Sequence, residues 1–275
     1  MKIKVQNFNL KETVEGGQIF NYHLFGEWHY IIHSKSVVKI RQIGKTIEFE
    51  THPKKNNAKL ARELLNFDAN YLPTIRKYFK NRKILASYEK YSGVKIAKLE
   101  PWECLIGFIC SQMNNMARIR KMVLCLSLKF GKEVKFDGKK FHLFPEPKAL
   151  ALATADQLKA CGLGYREYYI ISAARAVNAG FDFSKLKRMD YLHAKRGLMM
   201  LPGIGEKVAD CVLLFSLGFT QAFPVDVWIK RVMENLYFNG KKVPESKIGE
   251  FARKKFGKDA AIVHEFLFAN RENLG

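Results

Sequence analysis

The stretch Leu201-Pro202-Gly203-Ile204-Gly205-Glu206-Lys207-Val208-Ala209-Asp210-Cys211 leaves the backbone few choices. Two glycines flank a single apolar residue, so the chain can turn tightly and take positive φ values there. An apolar run from Val208 to Phe219 follows, long enough for three helical turns. A glycine hairpin that feeds a helix N-terminus turns bare N–H groups outward, an anion site for which phosphate is the obvious ligand. Lys207 falls on the first turn of that helix. The positive end of the helix dipole there disfavours an ammonium and favours a free, nucleophilic amine. Downstream, Phe223-Pro224-Val225-Asp226-Val227-Trp228 reads as a proline-led turn with one carboxylate before another helix. Nineteen residues separate Lys207 from Asp226, room for the first helix to end and the turn to return the carboxylate toward the amine. The plainer reading of Lys207 is a surface lysine touching phosphate. That of Asp226 is an N-cap, contributing ~1 kcal/mol. The cap is compatible with chemistry, because a carboxylate held by helix N–H groups is fixed in place, as an electrostatic catalyst requires.

Charge points to the partner. Lys and Arg number 47 against 26 Asp and Glu, a net charge of +21, which implies a polyanion, most simply nucleic acid. The 275 residues suffice for one large or two modest domains, and a hydrophobic content of 48% supports a core. No apolar run reaches membrane-spanning length, so no membrane partner is expected. The opening MKIKVQNFNL has no apolar signal core, which makes an intracellular protein the expectation, cytoplasmic or nucleoid-associated in a prokaryote. The cysteines, Cys104, Cys110, Cys125, Cys161 and Cys211, are odd in number and scattered without a C-x-x-C pair. That argues against a disulfide framework, zinc or an iron–sulfur cluster.

The series L-P-G-I-G-x-K, V-A-D-C and P-V-D-V resembles the signature of the helix-hairpin-helix DNA glycosylases, and within them the 8-oxoguanine DNA glycosylase/lyase branch. The resemblance runs from Gly17 to Phe268 and is strongest over residues 104–118 and 201–228. It implies an α+β fold, an N-terminal antiparallel sheet domain followed by a mostly helical glycosylase domain. Residues 1–57 and 58–275 are the expected extents, with the active site in the cleft. The residues agree: Trp28–Ile32, Ser36–Gln42 and Lys45–Glu50 read as strands, residues 52–57 as a polar break, and the chain beyond Ala58 as helical. The basic and aromatic run Arg76–Lys83 reads as a DNA-facing stripe or a solvated helix face. The lysine-rich segment Lys129–Phe144 reads as a loop or short hairpin.

Residue by residue, the resemblance implies the following roles. Lys207 and Asp226 match the catalytic pair. Gly17-Gln18-Ile19-Phe20 matches the G-Q-x-F of the branch, in which the glycine carbonyl accepts from N7–H of the lesion. Guanine carries a bare acceptor at N7, so a backbone acceptor rejects it, and only glycine lets the base so close. Cys211, four residues past Lys207 and on the same helix face, lines the pocket. The base-stacking phenylalanine falls on Phe268, and the glutamine that bonds the Watson–Crick edge is replaced by His264, which can donate and accept. A core-edge or solvated histidine is the alternative. Cys110-Ser111-Gln112-Met113-Asn114-Asn115-Met116-Ala117-Arg118 matches I-C-S-x-N-N-N-x-A-R, with Met113 where the first asparagine fills the vacated stack. An apolar plug can serve there. Arg118 matches the reader of the orphaned cytosine; a surface helix arginine is the plain alternative. Tyr165 and Arg166 match the L-G-Y-R loop, as wedge and second cytosine contact; packing is the plain alternative for Tyr165. Gly203 and Gly205 hold a DNA phosphate.

The resemblance implies a monomer acting on double-stranded DNA that contains oxidised guanine, preferably opposite cytosine. No cofactor and no catalytic metal are expected, beyond a monovalent cation that hairpin carbonyls can hold. Three other readings stand beside it: a sister glycosylase for another damaged base, a non-catalytic helix-hairpin-helix DNA-binding protein, and an abasic-site lyase.

Overall fold

The computed structural model describes residues 1–54, 57–80 and 93–274. Five strands form one antiparallel sheet: β1 Lys2–Lys4, β2 Tyr22–Phe25, β3 Trp28–His33, β4 Ser36–Ile43 and β5 Thr46–His52, in the order β1-β5-β4-β3-β2. In β5 the alternation of sequence becomes alternation of burial, with Ile47, Phe49 and Thr51 inside and their neighbours partly exposed. The register pairs Ile40 with Phe49 and Ile31 with Val38. That face packs against Ala61, Leu64 and Leu65 of the helix Asn57–Leu65.

Strand β3 is buried from His29 through Ile32 without alternation, because its second face is covered as well. The cover is a second sheet, the hairpin β6 Glu133–Phe136 and β7 Lys139–His142. Its turn residues Asp137 and Gly138 have φ of 53° and 68°, the pair of positive values that a two-residue hairpin turn with native twist requires. Phe141 stacks on Tyr30 at 5.1 Å, and the Tyr30 hydroxyl donates to Asp137. Residues in the middle of the helical region thus add strands that fasten it to the first sheet.

The central helix, Pro101–Cys110, starts at Glu100, whose side chain accepts from the Glu103 amide at 3.0 Å. It is buried at Trp102 and from Cys104 to Cys110, the signature of a helix surrounded on all sides. The helices Met116–Phe130, Arg166–Asn178 and Glu206–Val212 enclose it in the largest apolar core. A further core joins Val227–Tyr237, Glu245–Phe256 and Ala260–Ala269. The architecture is therefore α+β, an antiparallel sheet followed by a mostly helical region.

One expectation changes. Cys125 and Cys161 form a disulfide, with Cα atoms 5.4 Å apart, although their spacing in the chain carries no framework pattern. Helix Met116–Phe130 and the turn after Ala155–Lys159 bring them together, which spacing alone does not show. The basic run splits: Arg76, Lys77 and Tyr78 end the helix Leu72–Tyr78, whereas Asn81, Arg82 and Lys83 lie outside the described residues. Among the described residues no helix is long and apolar enough to cross a membrane.

Candidate active site

The hairpin joins helix Tyr191–Met199 to helix Glu206–Val212, which continues as a π-helical turn, Leu213–Leu217, and stops at Gly218 with φ 80°. Gly203 has φ 78°, and a Cβ there would lie 2.3 Å from the Tyr169 ring, so backbone and packing both demand glycine. Gly205 differs from the expectation of a second positive φ. Its φ of −89° and ψ of −179° suit any residue, and a Cβ would meet nothing within 4 Å. Nothing among the described residues requires glycine at that position. Buried Asp210 braces the helix behind the hairpin. It accepts from the Tyr191 hydroxyl at 2.6 Å and pairs with Lys195 at 3.0 Å, and Lys195 also reaches Glu206 at 3.0 Å. Burial raises the Asp210 carboxyl above its ordinary range, opposed by Lys195.

Lys207 points into a cavity of about 350 Å³. Its Nζ donates to Ser111 Oγ at 2.9 Å, and the Ser111 hydroxyl donates to the Phe108 carbonyl at 2.8 Å. The Phe108 ring centroid lies 5.1 Å from the amine. Asp226 lines the same cavity while capping helix Val227–Tyr237, accepting from the amides of Trp228 at 3.0 Å and Ile229 at 2.8 Å. Cap and cavity wall are one residue. Cys211 shares this wall, and its thiol is pushed up to about 12 by burial, against the nearby Lys207 charge. A thiol held neutral is a poor nucleophile.

Other lining residues come from both ends of the chain. Gly17 has φ 113°, and a Cβ there would sit 3.4 Å from Phe268 and 3.6 Å from the Met116 sulfur. His264 stacks on Phe268 with ring planes 8° apart and meets Phe223 edge-on. Burial drives its imidazole down to about 3, so it is neutral, and its Nδ1 has no partner among the described residues. Asn114 and Asn115 reach the rim. The tertiary fold thus gathers Lys207, Asp226, Cys211, Gly17, His264 and Phe268 around one cavity.

Sequence comparison adds a family to this assembly of sheet, hairpin and cavity. Residues 106–258 match the HhH-GPD superfamily of base excision DNA repair proteins. The chain belongs to that superfamily. Residues 1–105 match the N-terminal domain of 8-oxoguanine DNA glycosylase, a region that extends beyond the sheet to the middle of the central helix. A probable N-glycosylase/DNA lyase of Methanothermobacter thermautotrophicus is 33% identical over 195 residues, 64% of this chain and 62% of that protein. The chain therefore spans less than two thirds of this curated relative. Among solved structures, MBOgg1 in complex with a low-affinity DNA ligand superposes with a TM-score of 0.92 at 29% identity, covering 100% of this chain and 96% of that one. The 8-oxoguanine glycosylase/lyase of Clostridium acetobutylicum, bound to duplex DNA with cytosine opposite 8-oxoguanine, gives 0.90 at 28% identity over 99% of this chain and 97% of that one.

Within the superfamily fold, the residues expected at the DNA face separate. Met113 is 94% exposed with φ 43°, at the tip of the turn before helix Met116–Phe130. Asn114 donates to the Cys110 carbonyl at 3.0 Å, and Asn115 caps that helix by accepting from the Arg118 amide at 3.0 Å. Arg118 is exposed, and Tyr165 is 51% exposed. Arg166 departs from its expected place. It is buried, donating to the carbonyls of Leu163 and Gln112, because a guanidinium removed from water takes whatever acceptors the neighbouring turn supplies. It holds the Met113 turn instead of standing free. Gln112 closes the same joint by donating to the Gly203 carbonyl at 2.7 Å.

Sequence reasoning passed over several wall residues. Ser111 belongs to the C-S-Q-M run, but only the fold sets it against Lys207. Trp228 and Arg271 also line the cavity, with Arg271 4.4 Å from the Phe268 ring centroid. Trp228 follows the P-V-D-V motif directly; Arg271 carried no signal.

Proposed function

We propose that the chain is a bifunctional DNA N-glycosylase and abasic-site lyase of base excision repair that removes 8-oxoguanine from duplex DNA. The observation that carries this reading is the meeting of Lys207 and Asp226 on a cavity that Gly17 and Phe268 also line. The net charge of +21 supports a grip on duplex DNA. The open space beside Gly205 supports close approach of a phosphate to the hairpin. Met113 and Tyr165 are exposed enough to enter the duplex as the lesion turns out of the stack. The Gly17 carbonyl then accepts from N7–H, and Phe268 stacks on the base.

The Lys207 nitrogen forms a bond to C1′ as the C1′–N9 bond breaks and the base departs with that electron pair. The Asp226 carboxylate stabilises positive charge that grows on the deoxyribose. One proton then passes from nitrogen to O4′ as the C1′–O4′ bond breaks and the sugar opens, which leaves a protonated imine. Removal of a C2′ proton expels the 3′ phosphate by β-elimination. No cofactor takes part; a monovalent cation on the hairpin carbonyls would support the grip without entering a step. The enzyme acts as a monomer. Preference for cytosine rests on the exposed Arg118, since Arg166 is engaged internally.

A sister glycosylase is the alternative favoured by one observation, the neutral His264 in the recognition slot. Duplexes bearing single lesions, incubated with and without borohydride, decide. An adduct on 8-oxoguanine duplex, lost in Lys207→Gln, is expected. Stronger trapping on another lesion would replace the substrate, trapping on abasic DNA alone would leave only the lyase, and binding without any adduct would leave a DNA-binding module.

A further inference from the structure

Gln18, directly after Gly17, is buried and uses its whole amide. Its Oε1 accepts from the Ala97 amide at 2.8 Å, and its Nε2 donates to the Lys95 carbonyl at 2.9 Å and to Glu265 Oε1 at 2.9 Å. Glu265 is itself buried, on the cavity-lining helix Ala260–Ala269, next to His264 and one turn before Phe268. Its second oxygen, Oε2, has no partner among the described residues. A carboxyl group in that position is out of place as packing, since an apolar side chain would fill the space without desolvation. Among the described residues its side-chain hydrogen bond is to the Gln18 amide, directly after the glycine proposed to read the lesion. The contact joins residues 247 apart, the start of the chain to its last long helix.

The geometry points to Gln18–Glu265 as a latch that fixes the distance between the Gly17 carbonyl and the Phe268 ring and thereby sets discrimination between 8-oxoguanine and guanine. This rests on the base-reading role proposed for Gly17. The tolerance is small. Even a Cβ added at Gly17 would reach van der Waals contact with Phe268 and Met116, so a loop that drifts outward loses N7–H and one that drifts inward closes the slot. Discrimination by one backbone acceptor depends on its being unable to retreat when guanine presents a bare N7. With Ala97 and Lys95 the latch gives Gln18 three fixed points, and only the Glu265 bond ties it to the wall that carries Phe268. Glu265 is a positioning residue and touches no reacting atom.

The test compares the full-length wild type with Glu265→Leu and Glu265→Gln. Glutamine keeps the acceptor for Gln18 and leucine removes it. Single-turnover excision is measured on 8-oxoguanine:cytosine and guanine:cytosine duplexes, and borohydride trapping on abasic duplex, which has no base to read, is the internal reference. Glu265→Leu is expected to narrow the ratio of the two excision rates about tenfold or more, while abasic trapping persists. Glu265→Gln is expected to restore the ratio. A wild-type ratio in Glu265→Leu, or a Glu265→Gln protein as impaired as Glu265→Leu, overturns the latch. A wild type without preference between the two bases overturns the reading of Gly17 as well, so the two failures are distinct. Should Glu265→Leu fail to trap on abasic DNA through misfolding, Glu265→Asp, whose shorter side chain falls short of Gln18, takes its place with the same expectations.

Discussion

Lys207 Nζ donates a 2.9 Å hydrogen bond to Ser111 Oγ, joining the first turn of the hairpin helix to the end of the central helix. The Ser111 proton is turned to the Phe108 carbonyl, so the oxygen faces the amine as an acceptor. One N–H is thereby held, which limits the directions the nitrogen can present to a sugar. Ser111→Ala leaves the amine free to rotate. We expect formation of the trapped adduct to slow about tenfold, the scale of one misplaced reacting group, while duplex affinity stays as in the wild type. An unchanged trapping rate would show that the bond does not aim the amine.

Asp226 combines a helix cap with a wall of the cavity, and the two roles separate on substitution. Asparagine caps helices about as well as aspartate. Asp226→Asn is therefore expected to keep the wild-type melting temperature within a degree or two while base removal slows by roughly 10²–10³-fold, as for loss of one preorganised electrostatic group. Parallel melting and single-turnover measurements check this; a large fall in melting temperature with little loss of rate would mean that the cap is its main role.

The two hairpin glycines respond oppositely to a methyl group. Gly203→Ala puts Cβ onto the Tyr169 ring at a φ of 78°, and loss of folded protein is expected. Gly205→Ala meets open space at ordinary dihedrals, so folding survives. If a DNA phosphate approaches there, affinity for any duplex falls whatever its lesion. Circular dichroism and a binding isotherm on undamaged duplex distinguish the pair, and full affinity in Gly205→Ala would remove the phosphate from this hairpin.

Stability should depend on pH through Glu265. Burial raises its carboxyl from 4.5 to about 8, partly offset by Arg271. The folded state therefore holds a proton that the unfolded chain releases at pH 4.5 and above. This contribution is complete below about 4.5, declines as pH rises, and is lost once pH passes about 8. Glu265→Gln has no such proton, whereas the other buried acids are common to both proteins and cancel in the comparison. The melting temperature of the variant is expected to gain on the wild type from pH 5 to pH 8, by several degrees. Parallel curves across that interval would show that Glu265 is ionised in the fold.

The amino-acid order alone determined what depends on neighbours along the chain. The alternation in β5, the Pro101 helix start, the Asp226 cap and the hairpin with Lys207 on its first helical turn all follow from contiguous residues, because φ, ψ and helix-end hydrogen bonds are decided within a few positions. The tertiary structure decided which faces meet. It set Ser111 against Lys207 across 96 positions, joined Gln18 to Glu265 across 247, paired Cys125 with Cys161 across 36, laid β6 and β7 on the first sheet, and turned Arg166 inward to the Gln112 carbonyl. Such contacts carry no periodicity of their own. They arise because burying one apolar face forces the polar groups beside it to find partners among whatever that packing brings near.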